Sequence, residues 1–355
     1  MSADIRYDAY LNLDRILTAQ QPPGADGQPR ELAHHDEMLF VVIHQVYELW
    51  FKQILHEVTQ VRDLLAQEVV PEPDIARAVQ ALGRVHEIEK VMVAQIGVLE
   101  TMNPADFLAF RDQVGTASGF QSAQFRELEI VAGLSDDVRY EYQGASFERR
   151  FPREIVARFD ELRAQPSLRD VLYRWLERTP LEEGFVDIYL RAFDGYVESQ
   201  RELHRANPQL SGEEQAKVLA RLDQYTAACH AFLAGPTGRI HGACVFIAAY
   251  REEPLLHWPN RLLDALLAFE ELWRLWRFRH ARMVERMIGL RIGTGGSPGV
   301  DYLDQTAGNR YRIFTVILES RSFLVARRLL PDLRDKGRYG FAQDQGHASF
   351  RSASD

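Results

Sequence analysis

Apolar residues along this chain recur at helical spacing, without the strict alternation of strands, over stretches that lack proline and nearly lack glycine. From Asp36 to Glu68 neither breaker occurs. Met38, Leu39, Phe40, Val42, Ile43, Tyr47, Trp50, Phe51, Ile54, Leu55 and Val58 crowd this segment more densely than one amphipathic stripe requires. It predicts a helix buried on more than one side, with Asp36 as its N-cap. Further helices are expected over about 74–102, 181–206, 212–234, 260–290 and 309–330. Breakers cluster at 20–29, after a short N-terminal helix, at 115–122, at 293–299, and in a polar tail over 335–355. No repeat of fixed period and no long linker stands out. The expectation is an all-α fold: one large helical domain over 1–334, followed by a mobile tail over 335–355.

Composition narrows the function classes. Of 355 residues, 46% are hydrophobic and 26% charged, the balance of a globular protein with a substantial core. Asp plus Glu outnumber Lys plus Arg by 51 to 42, a formal charge of −9 that opposes a general nucleic-acid or anionic-membrane binder. Cys229 and Cys244 are too few for a disulfide framework or a cysteine metal site, so a reducing cytoplasm is expected. Asp4, Arg6 and Asp8 interrupt any signal-like start, and the longest apolar run, Ala243 to Tyr250, is far short of the ~20 residues that span a bilayer.

Four features carry candidate chemistry. His44 lies mid-helix among apolar residues, with Phe40 one turn before and Glu48 one turn after. It is either a core histidine bonded to Glu48 or a backbone carbonyl, or a group aimed at a ligand. His280 ends the run Trp273-Arg274-Leu275-Trp276-Arg277-Phe278-Arg279-His280, in which aromatics interleave with arginines. The run is either a helix whose arginines pair with acids, or the wall of a pocket for a flat anionic cofactor with His280 as a neutral ligand. Arg111 follows Phe107-Leu108-Ala109-Phe110 and precedes the turn from Ala117 to Ser122, where it clamps a carboxylate or pairs with Asp112 or Glu127. The glycine-rich loop from Gly293 to Gly299 is either a connector or a cradle of backbone N–H groups.

That loop contains a formal Gly-x-Ser-x-Gly, but a serine-hydrolase elbow follows a strand and uses the N–H after the serine. Here a helix precedes it, and the residue after Ser297 is Pro298, which has no N–H. Glu-x-x-His occurs in Glu31-Leu32-Ala33-His34, at a helix entrance, without the second pair of a di-iron bundle. No Cys-x-x-Cys-His is present, so any haem is expected to be held non-covalently.

Taken together and in order, several segments resemble the tryptophan 2,3-dioxygenase family. They are Tyr7 to Leu11, His35 to Leu55, Phe107 to Arg111 with Ala117 to Arg126, Tyr250 to Pro254, Arg279 to Gly289, and the loop beginning Gly293-Thr294-Gly295-Gly296. The resemblance implies a helical, homotetrameric enzyme dependent on haem b with ferrous iron. Such an enzyme adds both atoms of O₂ across the indole C2–C3 bond of L-tryptophan and opens the kynurenine pathway with N-formylkynurenine. Position by position, it implies that His280 is the axial iron ligand and that His44 is the distal group meeting the indole N–H. Phe40 and Phe107 would line the indole pocket, Arg111 would hold the substrate carboxylate, and Thr294 would meet the amino-acid end. Tyr7, Tyr10 and Leu11 match the segment that completes a neighbouring subunit's pocket. The sequence departs from the family pattern at Pro298, Val300 and Asp301, and Phe107 stands where some members have tyrosine. Those departures keep open an alternative, a related haem oxygenase acting on a substituted tryptophan or another indole and inserting one oxygen atom.

Overall fold

The computed structural model describes residues 5–24, 26–138, 147–289, 291, 293, 300–334 and 338–339. The first seven helices are α1 (Tyr7–Leu11), α2 (Leu13–Leu17), α3 (Glu37–Leu65), α4 (Glu72–Leu99), α5 (Pro104–Val114), α6 (Ala123–Ala132) and α7 (Arg153–Arg163). There follow α8 (Leu168–Glu177), α9 (Phe185–Arg205), α10 (Gly212–Ala234), α11 (Gly238–Ala249), α12 (Pro254–Ile288), α13 (Val300–Ala307) and α14 (Thr315–Arg321). Among the described residues there is no strand, so the all-α expectation holds; one isolated bridge pairs Pro23 with Pro29. No described helix is long and apolar enough to cross a membrane.

The strongly periodic segments become α3, α4, α9, α10 and α12, with ends within a few residues of expectation. Helix α12 starts earlier than expected because Pro254 opens it, where a missing N–H costs nothing, and it continues through Pro259. The helix expected over 309–330 is a correction. That stretch is a 3-10 turn at Asn309–Tyr311, the short α14, and a second 3-10 turn at Arg327–Leu329. Arg312 is extended, and the Ile313 N–H donates to the Glu270 carboxylate at 3.1 Å instead of to a carbonyl one turn back. A buried side-chain acceptor thus outcompetes helical continuation.

The chain divides into two compact units. One comprises residues 1–62, 81–169 and 268–313. Here α3 and α4 run antiparallel: the Tyr47 hydroxyl donates to the Met92 carbonyl at 2.9 Å, and Arg84 pairs with Glu57 at 2.6 Å. Ile54, Val58, Val61, Leu82, Val85 and Met92 are fully buried along this seam. Asn103 caps α5 through the Ala105 N–H, and Ser122 caps α6 through the Phe125 N–H. Helix α6 ends at Gly133, whose φ of 100° and whose Cβ position, 2.6 Å from Ser167 Oγ, leave room for no side chain. The second unit comprises residues 63–80, 170–267 and 314–355. In it the Tyr189 hydroxyl donates to the Phe323 carbonyl at 2.9 Å, and a Ser211–Glu214 capping box starts α10. Its two thiols, Cys229 and Cys244, are buried, unpaired with each other, and pushed up to about 12 by desolvation.

One core residue of the first unit is misplaced for stability. Glu89 on α4 is fully buried, and among the described residues neither carboxylate oxygen has a hydrogen-bond partner. Burial raises its pKa well above the usual 4.5. Below that ordinary value both the folded and unfolded chains are protonated. As pH rises past it the unfolded chain ionises while the folded one does not, so the destabilisation grows until the folded pKa is reached. Glu89→Leu is therefore expected to stabilise the protein by about 1–3 kcal/mol near neutral pH, with a smaller gain near pH 5. Thermal unfolding midpoints at about pH 5 and about pH 8 check this; equal gains at both values contradict a neutral buried acid.

Candidate active site

The first unit contains a cavity of ≈ 280 Å³, close to the lower bound of the ~300–1,000 Å³ typical of small-molecule sites. Its walls come from α3, α4, α5, α6, α12 and α13, with the turn around Ser118 to Ser122 at one side. Ile96, Leu99, Met102, Met283 and Met287 make much of the lining apolar.

Helix α3 contributes Phe40, His44 and Glu48, one turn apart on a single face. The His44 ring contacts Phe40 with centroids 4.2 Å apart, and Nδ1 lies 2.6 Å from the Phe40 carbonyl. A carbonyl only accepts, so Nδ1 carries the proton and Nε2 is left as an acceptor. The ring has solvent-accessible surface, but that surface lines the cavity, where packed protein shields it from bulk water. Its pKa is lowered chiefly by this desolvation, against the opposing effects of the Phe40 hydrogen bond and the Glu48 charge. Glu48 is itself held by Gln124, whose amide donates to the Glu48 carboxylate and carbonyl, both at 2.9 Å.

Helix α12 contributes Trp276, Arg277 and His280 to the same cavity. Burial, with a further contribution from the charge of nearby His44, pushes the His280 pKa down to about 4. Both imidazoles are therefore neutral near pH 7, and a neutral imidazole is the form that ligates a metal. Among the described residues no cluster of three or more His, Cys, Asp or Glu could hold a bare ion. A single neutral imidazole in an apolar slot suits an iron that brings its other in-plane donors with it, as haem does.

Cations provide the charge complement. Arg111, Arg126 and Arg277 line the cavity. Arg126 and Arg277, both buried, share Glu129 at 2.9 Å and 2.6 Å, so one carboxylate serves two guanidiniums. Arg277 also donates to the Thr306 carbonyl at 3.3 Å, and among the described residues its buried Nε has no hydrogen-bond partner. Guanidiniums in a desolvated wall suit anionic groups such as porphyrin propionates or an amino-acid carboxylate. The aromatic–arginine run of α12 divides its roles. Arg277 faces the cavity, Arg279 pairs with Glu100 at 3.1 Å, and Arg274 donates to the Ala307 carbonyl at 3.2 Å.

The structure thus brings Phe40, His44, Phe107, Arg111 and His280 to one cavity. Phe107 stacks obliquely on Phe40, with centroids 5.7 Å apart. Thr294, and with it Pro298, lies outside the described residues; Gly293, which precedes Thr294, lines the cavity. Tyr7, Tyr10 and Leu11 are exposed on α1 and are not among the residues lining this cavity. Sequence reasoning missed Arg126 and Glu129. In Phe125-Arg126-Glu127-Leu128-Glu129 no local pattern marks the charges as interior, yet every residue from Arg126 to Glu129 is buried.

Among the described residues, then, a helical fold places two neutral histidines and several arginines around one apolar cavity, the arrangement of a helical protein with a buried small-molecule site. The chain belongs to the tryptophan 2,3-dioxygenase family, whose family model matches residues 1–324. It is 41% identical to tryptophan 2,3-dioxygenase 2 of Ralstonia nicotianae, over 95% of this chain and 98% of that protein. It is 37% identical to the tryptophan 2,3-dioxygenase of Sorangium cellulosum, over 96% of this chain and 88% of the relative. With that of Dictyostelium discoideum it shares 35% identity over 93% and 86%.

Proposed function

We propose that the protein is a haem-dependent dioxygenase that adds both atoms of O₂ across the indole C2–C3 bond of L-tryptophan, giving N-formylkynurenine. The observation that carries this reading is the pairing of neutral His44 and neutral His280 in one cavity with Arg111. Haem b, when bound, supplies the ferrous iron that activates O₂. The chain does the rest. His280 would hold the iron, and Arg126 and Arg277 would offset the charge of the propionates. His44 Nε2 accepts the indole N–H, orienting the ring between Phe40 and Phe107. The substrate N–H satisfies a buried acceptor that would otherwise cost free energy. Arg111 holds the α-carboxylate, and Thr294, directly after the cavity-lining Gly293, meets the amino-acid end.

The protein acts as a homotetramer in the cytoplasm. In support, Tyr7 and Tyr10 are 75% and 74% exposed on a helix with no buried residue, an arrangement suited to completing a neighbour's pocket. Two buried free thiols suit a reducing compartment.

The test is mass spectrometry of the product formed from L-tryptophan and isotopically labelled O₂. Two labelled atoms in a ring-opened product are expected. One labelled atom, or turnover confined to a substituted indole, overturns the reading.

A further inference from the structure

We propose that Trp276 is a positioning residue for His280: its indole plane sets the rotational orientation of the imidazole that ligates iron. This rests on the haem reading above.

A histidine that ligates a metal usually donates its second ring N–H to a carboxylate, carbonyl or water, which fixes the ring. Among the described residues no hydrogen bond reaches either nitrogen of His280. What the ring has is Trp276, one helical turn earlier on the same face of α12. The two rings are parallel within 2°, with centroids 5.3 Å apart, an offset stack. A stack of this kind resists tilting and rotation of the smaller ring, because either motion forfeits contact area.

For a stack to orient its partner it must itself be immobile. Trp276 is 8% exposed and is gripped by four aromatic rings. Tyr47 meets it at 5.8 Å and 62°, and Phe51 at 5.7 Å and 86°. Phe125 and Trp273 each lie 5.7 Å away. Tyr47 is in turn tied to α4 through its hydroxyl on the Met92 carbonyl. The orientation of His280 is therefore referred, through Trp276 and Tyr47, to the rigid α3–α4 seam. Apolar contact here restrains the plane of the imidazole.

The test is resonance Raman spectroscopy of the ferrous, haem-loaded full chain, following the iron–histidine stretching band. Wild type is expected to show one narrow band that disappears in His280→Ala. Trp276→Met keeps apolar bulk without a plane and is expected to shift and broaden that band. Trp276→Phe, which keeps a smaller plane, is expected to fall between. A His280-dependent band of unchanged position and width in Trp276→Met overturns the positioning role and leaves the haem reading standing. If that variant fails to retain haem, an unchanged band in Trp276→Phe overturns it equally. Absence of any iron–histidine band in wild type, or its persistence in His280→Ala, overturns the haem assignment itself.

Discussion

His280→Ala is expected to lose haem almost completely, with absorbance in the Soret region falling at least tenfold relative to protein after gel filtration. The cavity's remaining hold on a porphyrin is apolar contact and the arginines, neither of which binds iron. On the proposed assignment, removing the imidazole takes away the protein–iron bond from α12, and it leaves a void beside Trp276. The low pKa of His280, about 4, means that the imidazole is already deprotonated at neutral pH, so on the proposed assignment no proton would compete with iron. His44→Ala provides the contrast. Its Nδ1 is engaged by the Phe40 carbonyl, its assigned partner is the substrate, and that variant is expected to keep haem while losing turnover. Full haem retention by His280→Ala, or haem loss by His44→Ala alone, would exchange the two roles.

Arg111→Leu is expected to raise the KM for L-tryptophan strongly while haem content stays at the wild-type level. Truncating one partner of a desolvated, hydrogen-bonded charge pair costs about 2–5 kcal/mol, much of it from the carboxylate left without a cation. At 1.4 kcal/mol per factor of ten, that is roughly thirtyfold to several thousandfold in affinity. The expectation depends on position: Arg111 sits at the end of α5 and lines the cavity together with the Ser118–Ser122 turn. Arg126 and Arg277, already committed to Glu129, are poor replacements for it. An indole analogue without the carboxylate should bind both proteins alike, which separates loss of the clamp from collapse of the pocket. Unchanged KM for tryptophan in the variant would contradict the clamp.

How much of this was legible beforehand follows from the range of the forces involved. Helices α3, α4, α9, α10 and α12 were readable because their apolar residues repeat every three to four positions, a local property of the chain. The 309–330 segment was misread because the competitor for its backbone, the Glu270 carboxylate, lies 43 residues away and leaves no mark on local spacing. His44 and His280 stood out as polar groups in apolar surroundings, and Arg111 as a cation between an apolar run and a turn. Their convergence did not, since they lie 67 and 169 residues apart in sequence.

The sequence by itself determined an all-α protein, the identity of its polar outliers, and through the order of its motifs a family. Tertiary structure alone decided that Arg126 and Glu129 are interior, that Arg277 and not Arg279 faces the cavity, and that His44 carries its proton on Nδ1. Charge, tautomer and pKa depend on which groups desolvate one another, and that is settled only when distant helices pack.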